Sequence, residues 1–487
     1  MKAELRRVID DLLAAWKLVP TRIGLLGTFL ILLGSLTPAY LPQNSPWWGP
    51  LRAAHLDTTP VRIIGTLILL VGIGLLVDGW FKLRPTVYSG VKHWAVLAIW
   101  SLPLLFGPPT FSHDAYSYSA QGWMLVNEVN PYEAGPGVLP GAFADQVAWV
   151  WRFTPAPYGP LSLRLQELIV IVSGLHPYLS TVLMRIPALI GVLLIVVLLP
   201  RIAHRLGVDP QLTAWFATLN PLLVIDFVGG MHNDALMMGL VVLALWMALK
   251  GRLWLGGAAV VGIAASIKQP AFLAAYVLPL LTQPLLTWKR SDLARTVGRI
   301  AVSCLIAIGT FALVSVACGL GIGWLNAVNV PGLVVTVSPS TVIGQGIQLV
   351  LNYFHLDSSE HAAIRLARTI GLVVTVAGVL VLAVTSARKK PLSFLSWSYL
   401  LVAFGGPALH SWYVLWGALL LPLTSPSLRV QRVALWTTMV LLSYSAVNLA
   451  WRNGAIALGI AAIIPLGWQV IHHERRRRRD LDVVEET

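Results

Sequence analysis

The chain has 487 residues, of which 56% are hydrophobic and only 11% are charged, and its mean hydropathy is +0.74. This composition leaves too little polar surface for a water-soluble domain, and several apolar segments exceed the length that crosses a bilayer. A net charge of +14 would suggest nucleic acid as a partner of a soluble protein, but basic cytoplasmic loops account for it in a membrane protein. We therefore expect an all-α polytopic membrane protein with no nucleic-acid partner.

Apolar windows divide the chain into candidate transmembrane helices. They predict about fourteen spans, with thirteen possible, in one integral membrane domain over 1–487. An amphipathic segment, "MKAELRRVIDDLLAAWK", precedes the first span. The windows are 21–39, 61–80, 93–108, 183–200, 211–228, 233–250, 253–268, 271–287, 297–320, 365–386, 392–408, 411–425, 432–449 and 454–471.

The distribution of lysine and arginine predicts the orientation. With the N-terminus inside, 26 of the 35 basic residues fall in inner loops or in the two terminal segments. The arginine-rich segment 472–487 is then a cytoplasmic tail, and both termini are cytoplasmic. The only two cysteines, Cys304 and Cys318, share one apolar segment, so neither a disulfide framework nor a thiolate metal site is predicted.

The longest predicted outer loop covers 108–182 and begins with "TFSHDAYSYSAQGWMLVNEVNPYEAGPG", residues 110–137. Later in this loop, prolines and a glycine precede an amphipathic segment that contains Arg164 and Glu167. We expect that segment to form a helix on the outer membrane surface. A second outer segment, 321–364, is apolar but broken by proline and glycine, so its path stays open.

The pair His113 and Asp114 stands at the start of this loop, next to Tyr116 and Tyr118. A carboxylate beside a histidine can act as a general base on a hydroxyl group, and nearby aromatic hydroxyls can bind a sugar. The alternative is structural, because aspartate is also a frequent helix N-cap.

A second polar group, "MHND", follows Gly229 and Gly230 at the outer ends of two predicted spans. Its residues His232, Asn233 and Asp234 predict either a binding turn or an ordinary tight turn with a helix N-cap.

Two further outer segments carry residues that can bind ligands. Lys268 lies at a helix break in "IKQPAF", and His410 precedes Trp412 and Tyr413 in "GPALHSWYVLW". An interfacial aromatic belt would explain the tryptophan and the tyrosine but not the histidine. We expect these outer groups to converge on one pocket.

Three segments together resemble a known enzyme family: "HDAYSYSAQGWMLVNEVNPYEAGPG", "TPAPYGPL" and "MHNDALMMG". They are similar to the polyprenol-phosphate-mannose-dependent α-1,6-mannopyranosyltransferases of actinobacterial lipomannan synthesis, in the GT-C superfamily. The resemblance covers about 90–420 and places the catalytic acidic residue of the family on Asp114. The related arabinosyltransferases carry a large C-terminal sugar-binding domain, whereas this chain ends in a short arginine-rich tail.

The resemblance implies a plasma-membrane enzyme with its active site on the outer face. Its donor is polyprenyl-phosphate-mannose, and its acceptor is a phosphatidylinositol mannoside or lipomannan. Inverting transfer needs one base and no nucleophile, and phosphate leaves without protonation, so no cofactor and no essential divalent metal are expected. Basic side chains can neutralise the phosphate, although each can equally be an interfacial snorkelling residue. The basic candidates are Arg152, Lys268, Arg365, Arg368 and Arg452, of which Arg152 and Lys268 rank first.

The predicted site therefore has Asp114 as the catalytic base. The predicted donor- or acceptor-binding residues are His113, Tyr116, Tyr118, Arg152, Tyr158, His232, Asn233, Asp234, Lys268 and His410.

Two alternative functions remain at this stage. A transporter or lipid flippase would have as many spans, but it would show inverted repeats and broken helices at the midplane, and the hydropathy shows no repeat. Alternatively, the enzyme transfers another sugar, such as arabinose or glucose, or modifies a protein.

Overall fold

The structure is a computed structural model that describes residues 2–42, 45–282, 289–325, 330, 337–356, 361–464 and 466–467. The predicted cytoplasmic tail, 472–487, lies outside the described residues, as do parts of 321–364 and the end of the last apolar window.

The described chain is 76% helical and contains no strands. This confirms the predicted all-α membrane architecture. Its α-helices are α1 Lys2–Lys17, α2 Val19–Ser35, α3 Trp48–Ala53, α4 Thr59–Lys82, α5 His93–Ser101, α6 Asp114–Val126, α7 Ala142–Asp145, α8 Trp149–Arg152, α9 Pro160–Val172, α10 Pro177–Leu183, α11 Arg185–Arg205, α12 Pro210–Thr213, α13 Asp234–Ala248, α14 Trp254–Ala265, α15 Leu273–Thr282, α16 Arg290–Cys318, α17 Pro339–Tyr353, α18 Ala362–Thr385, α19 Pro391–Gly405, α20 Ser411–Ala418 and α21 Leu428–Trp451. Short 3₁₀ and π segments connect them, including the π-helical turns Ala214–Thr218 and Leu223–Gly229.

Five described helices are long and apolar enough to cross a membrane. They are Thr59–Lys82, Pro177–Arg205, Arg290–Cys318, Ala362–Thr385 and Leu428–Trp451. Two bent pairs raise the number to seven if each pair is one span: Ala3–Lys17 with Val19–Ser35, bent by 87°, and Pro210–Thr218 with Leu223–Gly229, bent by 59°.

Every predicted apolar window overlaps an apolar helix, but many of these helices are short. The shorter ones have 10–17 residues. At 1.5 Å per residue they extend about 15 to 25 Å, less than the roughly 30 Å of a hydrocarbon core. The count of fourteen spans therefore stays a prediction.

The loop 108–182 contains the predicted helix after its proline-rich stretch, as α9. Pro160 occupies the first turn of α9, where the missing amide hydrogen costs no intrahelical hydrogen bond. This helix packs along α6. A Cβ at Gly122 of α6 would lie 2.9 Å from the backbone nitrogen of Glu167, so glycine permits this close approach.

Close packing of α11 against α13 fixes the position of the helix that begins at Asp234. Gly239 faces Gly191, and a Cβ at Gly239 would lie 2.6 Å from the Gly191 Cα atom. Small residues let two membrane helices approach closely without a clash. The two helices therefore form a closely packed pair beneath the polar turn of residues 230–234.

Candidate active site

The polar turn before α13 packs tightly against the segment that leads into α6. The Gly229 carbonyl accepts a hydrogen bond from the Thr110 amide at 3.2 Å, and Thr110 Oγ1 donates to the Ile225 carbonyl at 3.0 Å. A side chain at Gly229 would overlap Thr110 Oγ1. The left-handed residue of the turn is Met231, with a φ of 60°. Glycine at 229 therefore permits the close approach of these two segments, and the starts of α6 and α13 lie side by side.

Arg185, at the start of α11, connects the same two segments. Its side chain is buried and donates hydrogen bonds to the carbonyls of Val228 at 3.1 Å, Leu105 at 2.7 Å and Gly107 at 2.8 Å. Hydrogen bonds from a charged donor are roughly twice as strong as neutral ones. Arg185 is therefore a positioning residue, which the sequence analysis missed because its carbonyl partners leave no motif.

Asp114 is the first residue of α6. Its amide donates to Ser112 Oγ at 3.1 Å, while its carboxylate, 18% exposed, lies 3.6 Å from His232 Nδ1. The helix N-cap is His113, and no side chain forms a cap hydrogen bond there. The capping alternative is therefore wrong for Asp114.

The pKa of Asp114 is raised to about 6, chiefly because burial disfavours the charged form. The charge of Asp234 raises it further, whereas Lys268 and the Ser112 hydrogen bond lower it. Such a carboxylate is ionised at neutral pH but is more basic than an ordinary aspartate, as a general base requires.

Asp234 and Lys268 form a buried ion pair. Lys268 Nζ donates to Asp234 Oδ1 at 3.0 Å and to Oδ2 at 2.9 Å, and Trp416 Nε1 donates to Oδ1 at 2.7 Å. Burial lowers the pKa of Lys268, but Asp234, Tyr413 and Asp114 together outweigh burial and leave the pKa above its ordinary value. The N-cap position of α13 is Asn233, and no side chain forms a cap hydrogen bond there, so Asp234 does not serve as a helix cap.

Aromatic rings from α20 and the segment before it enclose these charges. The His232 and His410 rings both stack on the Trp412 ring, with centroid distances of 3.6 Å and 4.4 Å. Burial lowers the pKa of His232 well below its ordinary value, and the charge of Lys268 lowers it further, so the ring is neutral. The ammonium group of Lys268 lies 4.5 Å from the centroid of the Tyr413 ring, within cation–π range.

These residues surround the polar end of a cavity of about 680 Å³. The rest of its wall is mostly apolar and comes from α15, α18, α19 and the segment around Trp324. Its lining includes Asp114, Tyr158, Lys268 and His410 at the polar end, and Phe272, Leu273, Leu372, Val376, Val379, Leu380 and Val402 along the apolar wall.

Most of the predicted site residues lie in this cavity or directly behind it. Asp114, Tyr158, Lys268 and His410 line it. His232 and Asp234 contact these side chains from behind. In the second layer, Tyr118 packs edge-on against Tyr158 with centroids 5.0 Å apart, and Asn233 donates to Ser162 Oγ at 3.2 Å.

Three more predicted residues are absent from the cavity lining and contact other parts of the chain. Arg152 pairs with Asp145 of the same loop. His113 Nε2 lies 2.8 Å from the Tyr40 carbonyl, and burial lowers the pKa of His113, so this ring is a neutral donor to that carbonyl. Tyr116 packs edge-on against His113, with centroids 5.7 Å apart.

Trp416, which donates to Asp234, is absent from the predicted site. Trp412 and Trp416 are four residues apart on α20, so helical spacing alone places them on one face. Trp416 is also three residues from Tyr413, and this spacing likewise places two side chains on one helix face. Because an interfacial aromatic belt already explains these rings, their spacing alone does not indicate a binding site.

The part of the chain that the structure describes contains no group of three or more histidine, cysteine, aspartate or glutamate side chains that could hold a metal ion. Among the described residues that line the cavity, the cationic side chain is Lys268, whose ammonium group lies 2.9 Å from Asp234 Oδ2.

Fold and cavity together define an all-α polytopic membrane protein of the GT-C-like class. The family described as α-(1→6)-mannopyranosyltransferase, N-terminal domain, matches residues 21–284, and the MptB C-terminal domain matches residues 340–466. The chain belongs to the α-(1→6)-mannopyranosyltransferase family, which makes it a membrane-bound mannosyltransferase with a sugar donor and a glycan acceptor. This confirms the predicted family and favours an enzyme over a transporter.

Individual relatives give the same result. The chain is 29% identical to α-(1→6)-mannopyranosyltransferase A of Mycobacterium tuberculosis, over 94% of this chain and 91% of the relative. It is 30% identical to a probable α-(1→6)-mannopyranosyltransferase of Mycolicibacterium smegmatis, over 85% of this chain and 80% of the relative. It is 30% identical to α-(1→6)-mannopyranosyltransferase A of Corynebacterium glutamicum, over 72% and 77%. No solved structure matches the chain.

Proposed function

We propose that the protein transfers mannose from polyprenyl-phosphate-mannose to a growing α-1,6-mannan chain of lipomannan, on the outer face of the plasma membrane. The observation that carries this proposal is the form of the cavity. One end holds the carboxylate of Asp114 and the ammonium group of Lys268, and the remaining wall is apolar. A lipid-linked sugar phosphate has the same two parts, a charged head and a hydrocarbon chain.

The apolar wall suits a long hydrocarbon chain. Leu372, Val376 and Leu380 stand at four-residue intervals on α18, so they form one stripe along the helix. All three line the cavity and are more than half exposed. In a membrane helix, an apolar stripe of this kind faces hydrocarbon, so a polyprenyl chain can lie along it while its phosphate reaches the polar end.

Asp114 is the base of the proposed reaction. Its carboxylate removes the proton from the 6-hydroxyl group of the acceptor mannose, and the hydroxyl oxygen attacks the anomeric carbon of the donor. The bond from that carbon to the phosphate oxygen breaks, and its electron pair leaves with the phosphate. One displacement inverts a β-linked donor into an α-linked product.

Lys268 stabilises the leaving phosphate. It is 12% exposed, and its partner Asp234 is fully buried, so the pair presents only the ammonium group to the cavity. Two of its hydrogens bind the Asp234 carboxylate, which leaves one for a phosphate oxygen. With a cation at this position, the proposal requires no divalent metal and no other cofactor.

The acceptor in this proposal is a phosphatidylinositol mannoside or a lipomannan chain. Trp412, Tyr413 and Trp416 line the cavity beside Lys268. Together with Tyr158, they provide apolar ring atoms for packing and hydroxyl groups for hydrogen bonds to a mannose ring.

The test is transfer of radiolabelled mannose from mannosyl-phosphopolyprenol to a short α-1,6-mannan by membranes that contain the protein. We expect a new α-1,6-linked mannose, and we expect transfer to persist when a chelator is added. A nucleotide-linked mannose serves as the control donor. Label that moves only from the control donor contradicts the proposed donor, and transfer abolished by the chelator contradicts the metal-independent mechanism.

A further inference from the structure

A second cavity, of about 530 Å³, lies between α11, the start of α12 and the end of α13. Its walls are strongly basic and include one indole ring. It is lined by Pro200, Arg201, His204, Arg205, Pro210 and Trp246.

This cavity lies at the opposite end of two helices from the active site. On α13, Trp246 follows Asp234 by twelve residues, which is about 18 Å along the helix axis. On α11, the basic residues occupy the last turns, whereas Arg185 at the first residue binds the active-site turn. If the active site is on the outer face, the basic cavity is on the cytoplasmic face.

The positive charges around this cavity lack carboxylate partners among the described residues. Neither Arg201 nor Arg205 forms an ion pair there, although the two lie four residues apart on one helix face, where like charges repel. Arg205 and Lys250 both lie over the Trp246 ring, at 5.5 Å and 4.8 Å from its centroid. An anion in the cavity would relieve this concentration of charge.

The carboxylate of Asp209, which directly precedes Pro210 of the cavity in sequence, already accepts a hydrogen bond. Asp209 is the N-cap of α12, and its Oδ1 accepts the Gln211 amide at 2.8 Å. It does not line the cavity. The ligand must therefore bring its own negative charge.

An apolar stripe leads along α11 to the basic cluster. Ile190, Leu193 and Val197 precede Arg201 at intervals of three and four residues, so all four lie on one side of the helix. Ile190 is 50% exposed, Leu193 62% and Val197 38%. A basic cavity that ends an exposed apolar stripe matches a phosphate group attached to acyl chains.

We propose that this cavity binds the phosphate headgroup of an anionic phospholipid in the leaflet opposite the active site. Arginine forms paired hydrogen bonds with phosphate oxygens, and basic cavities between cytoplasmic helix ends are suited to acidic headgroups. The acyl chains of the lipid lie along the stripe on α11. The lipid thus contacts both helices that carry the active-site turn at their other ends.

The test is native mass spectrometry of the purified full-length protein in detergent, with phosphatidylglycerol or phosphatidylcholine of identical acyl chains added. We expect the protein to retain phosphatidylglycerol preferentially. The double variant R201Q/R205Q should bind it at least tenfold more weakly. The control K389Q/K390Q removes two exposed charges from the same predicted face outside the cavity, and it should stay within twofold of the parent.

An equal loss in both double variants overturns the proposal, because it shows diffuse surface attraction. Equal retention of the two lipids by the parent also overturns it. Excess inorganic phosphate is a further arm: if it displaces phosphatidylglycerol completely, the cavity is a phosphate site and not a lipid site. Should R201Q/R205Q fail to fold, R201K/R205K keeps the charge but loses the paired geometry, and we then expect intermediate binding. Binding is measured without donor or acceptor, so its outcome is independent of the proposed transfer reaction.

Discussion

Replacement of Lys268 by methionine separates the structural role of the ammonium group from its proposed role in binding phosphate. The K268M variant leaves the fully buried carboxylate of Asp234 with Trp416 as its remaining donor. Loss of one partner from a buried ion pair costs about 3 to 5 kcal/mol of stability. Because the Lys268 side chain is 12% exposed, water can reach the pair, and we expect a value near the lower end.

The double variant K268M/D234N removes the unpaired charge as well. Its asparagine oxygen can still accept from Trp416, so most of the lost stability should return. Donor affinity should not return, because the donor phosphate still lacks its cation. A charge-assisted hydrogen bond is worth about 1.5 to 3 kcal/mol, so the Kd for the lipid-linked donor should rise roughly 10- to 150-fold.

Thermal unfolding in detergent measures the first effect, and donor titration in nanodiscs measures the second. If donor affinity recovers together with stability in K268M/D234N, Lys268 is structural and another group holds the phosphate. If K268M alone neither unfolds earlier nor binds donor more weakly, the buried pair has neither role.

Three other predictions concern the catalytic base, the apolar wall of the active-site cavity and the orientation of the protein in the membrane. Asp114 acts as a base only when ionised, so with its pKa at about 6 the value of kcat/KM should rise with pH through about 6 and then level off; a profile without this rise contradicts the assignment. Val376→Trp places a large side chain at the apolar wall of the active-site cavity and should raise KM for the long-chain donor by roughly tenfold. Val374→Trp, on α18 but outside the cavity, is the control and should leave KM unchanged. Equal effects of the two substitutions would show that the donor chain does not lie along this wall. A cysteine at Asn127 should react with an impermeant maleimide in intact cells and one at Ser386 should not; the reverse labelling pattern overturns the orientation.

The helices could be located from the sequence because apolar composition is a local property. Each of the fourteen windows overlaps an apolar helix of the structure. The lengths and bends of these helices could not be predicted from composition alone, as residues 211–228 show. The composition of this window predicts one span, but the chain bends by 59° where Pro221 supplies no amide hydrogen to continue the helix. The proline was visible in the sequence, whereas the size and direction of the bend depend on neighbouring helices.

The convergence of Asp114, His232, Asp234 and Lys268 could be predicted because all four lie at helix ends or turns that the charge distribution assigns to one face. The position of Arg152 outside the cavity could not be predicted, because it depends on whether the chain places Asp145 against the guanidinium group of Arg152. His113 is a similar case. Its partner is the backbone carbonyl of Tyr40, and every residue offers such a carbonyl, so no sequence pattern marks the contact.

Mannose transfer by Asp114→Asn, measured beside donor affinity, tests the central claim most directly. Asparagine keeps the shape of the side chain but cannot accept the acceptor proton, so transfer should fall about 100-fold or more while donor affinity stays unchanged. Asp145→Asn is the matched control in the same loop, since Asp145 pairs with Arg152 outside the cavity, and it should retain transfer. Transfer by Asp114→Asn at the rate of this control would contradict the assignment of Asp114 as the base.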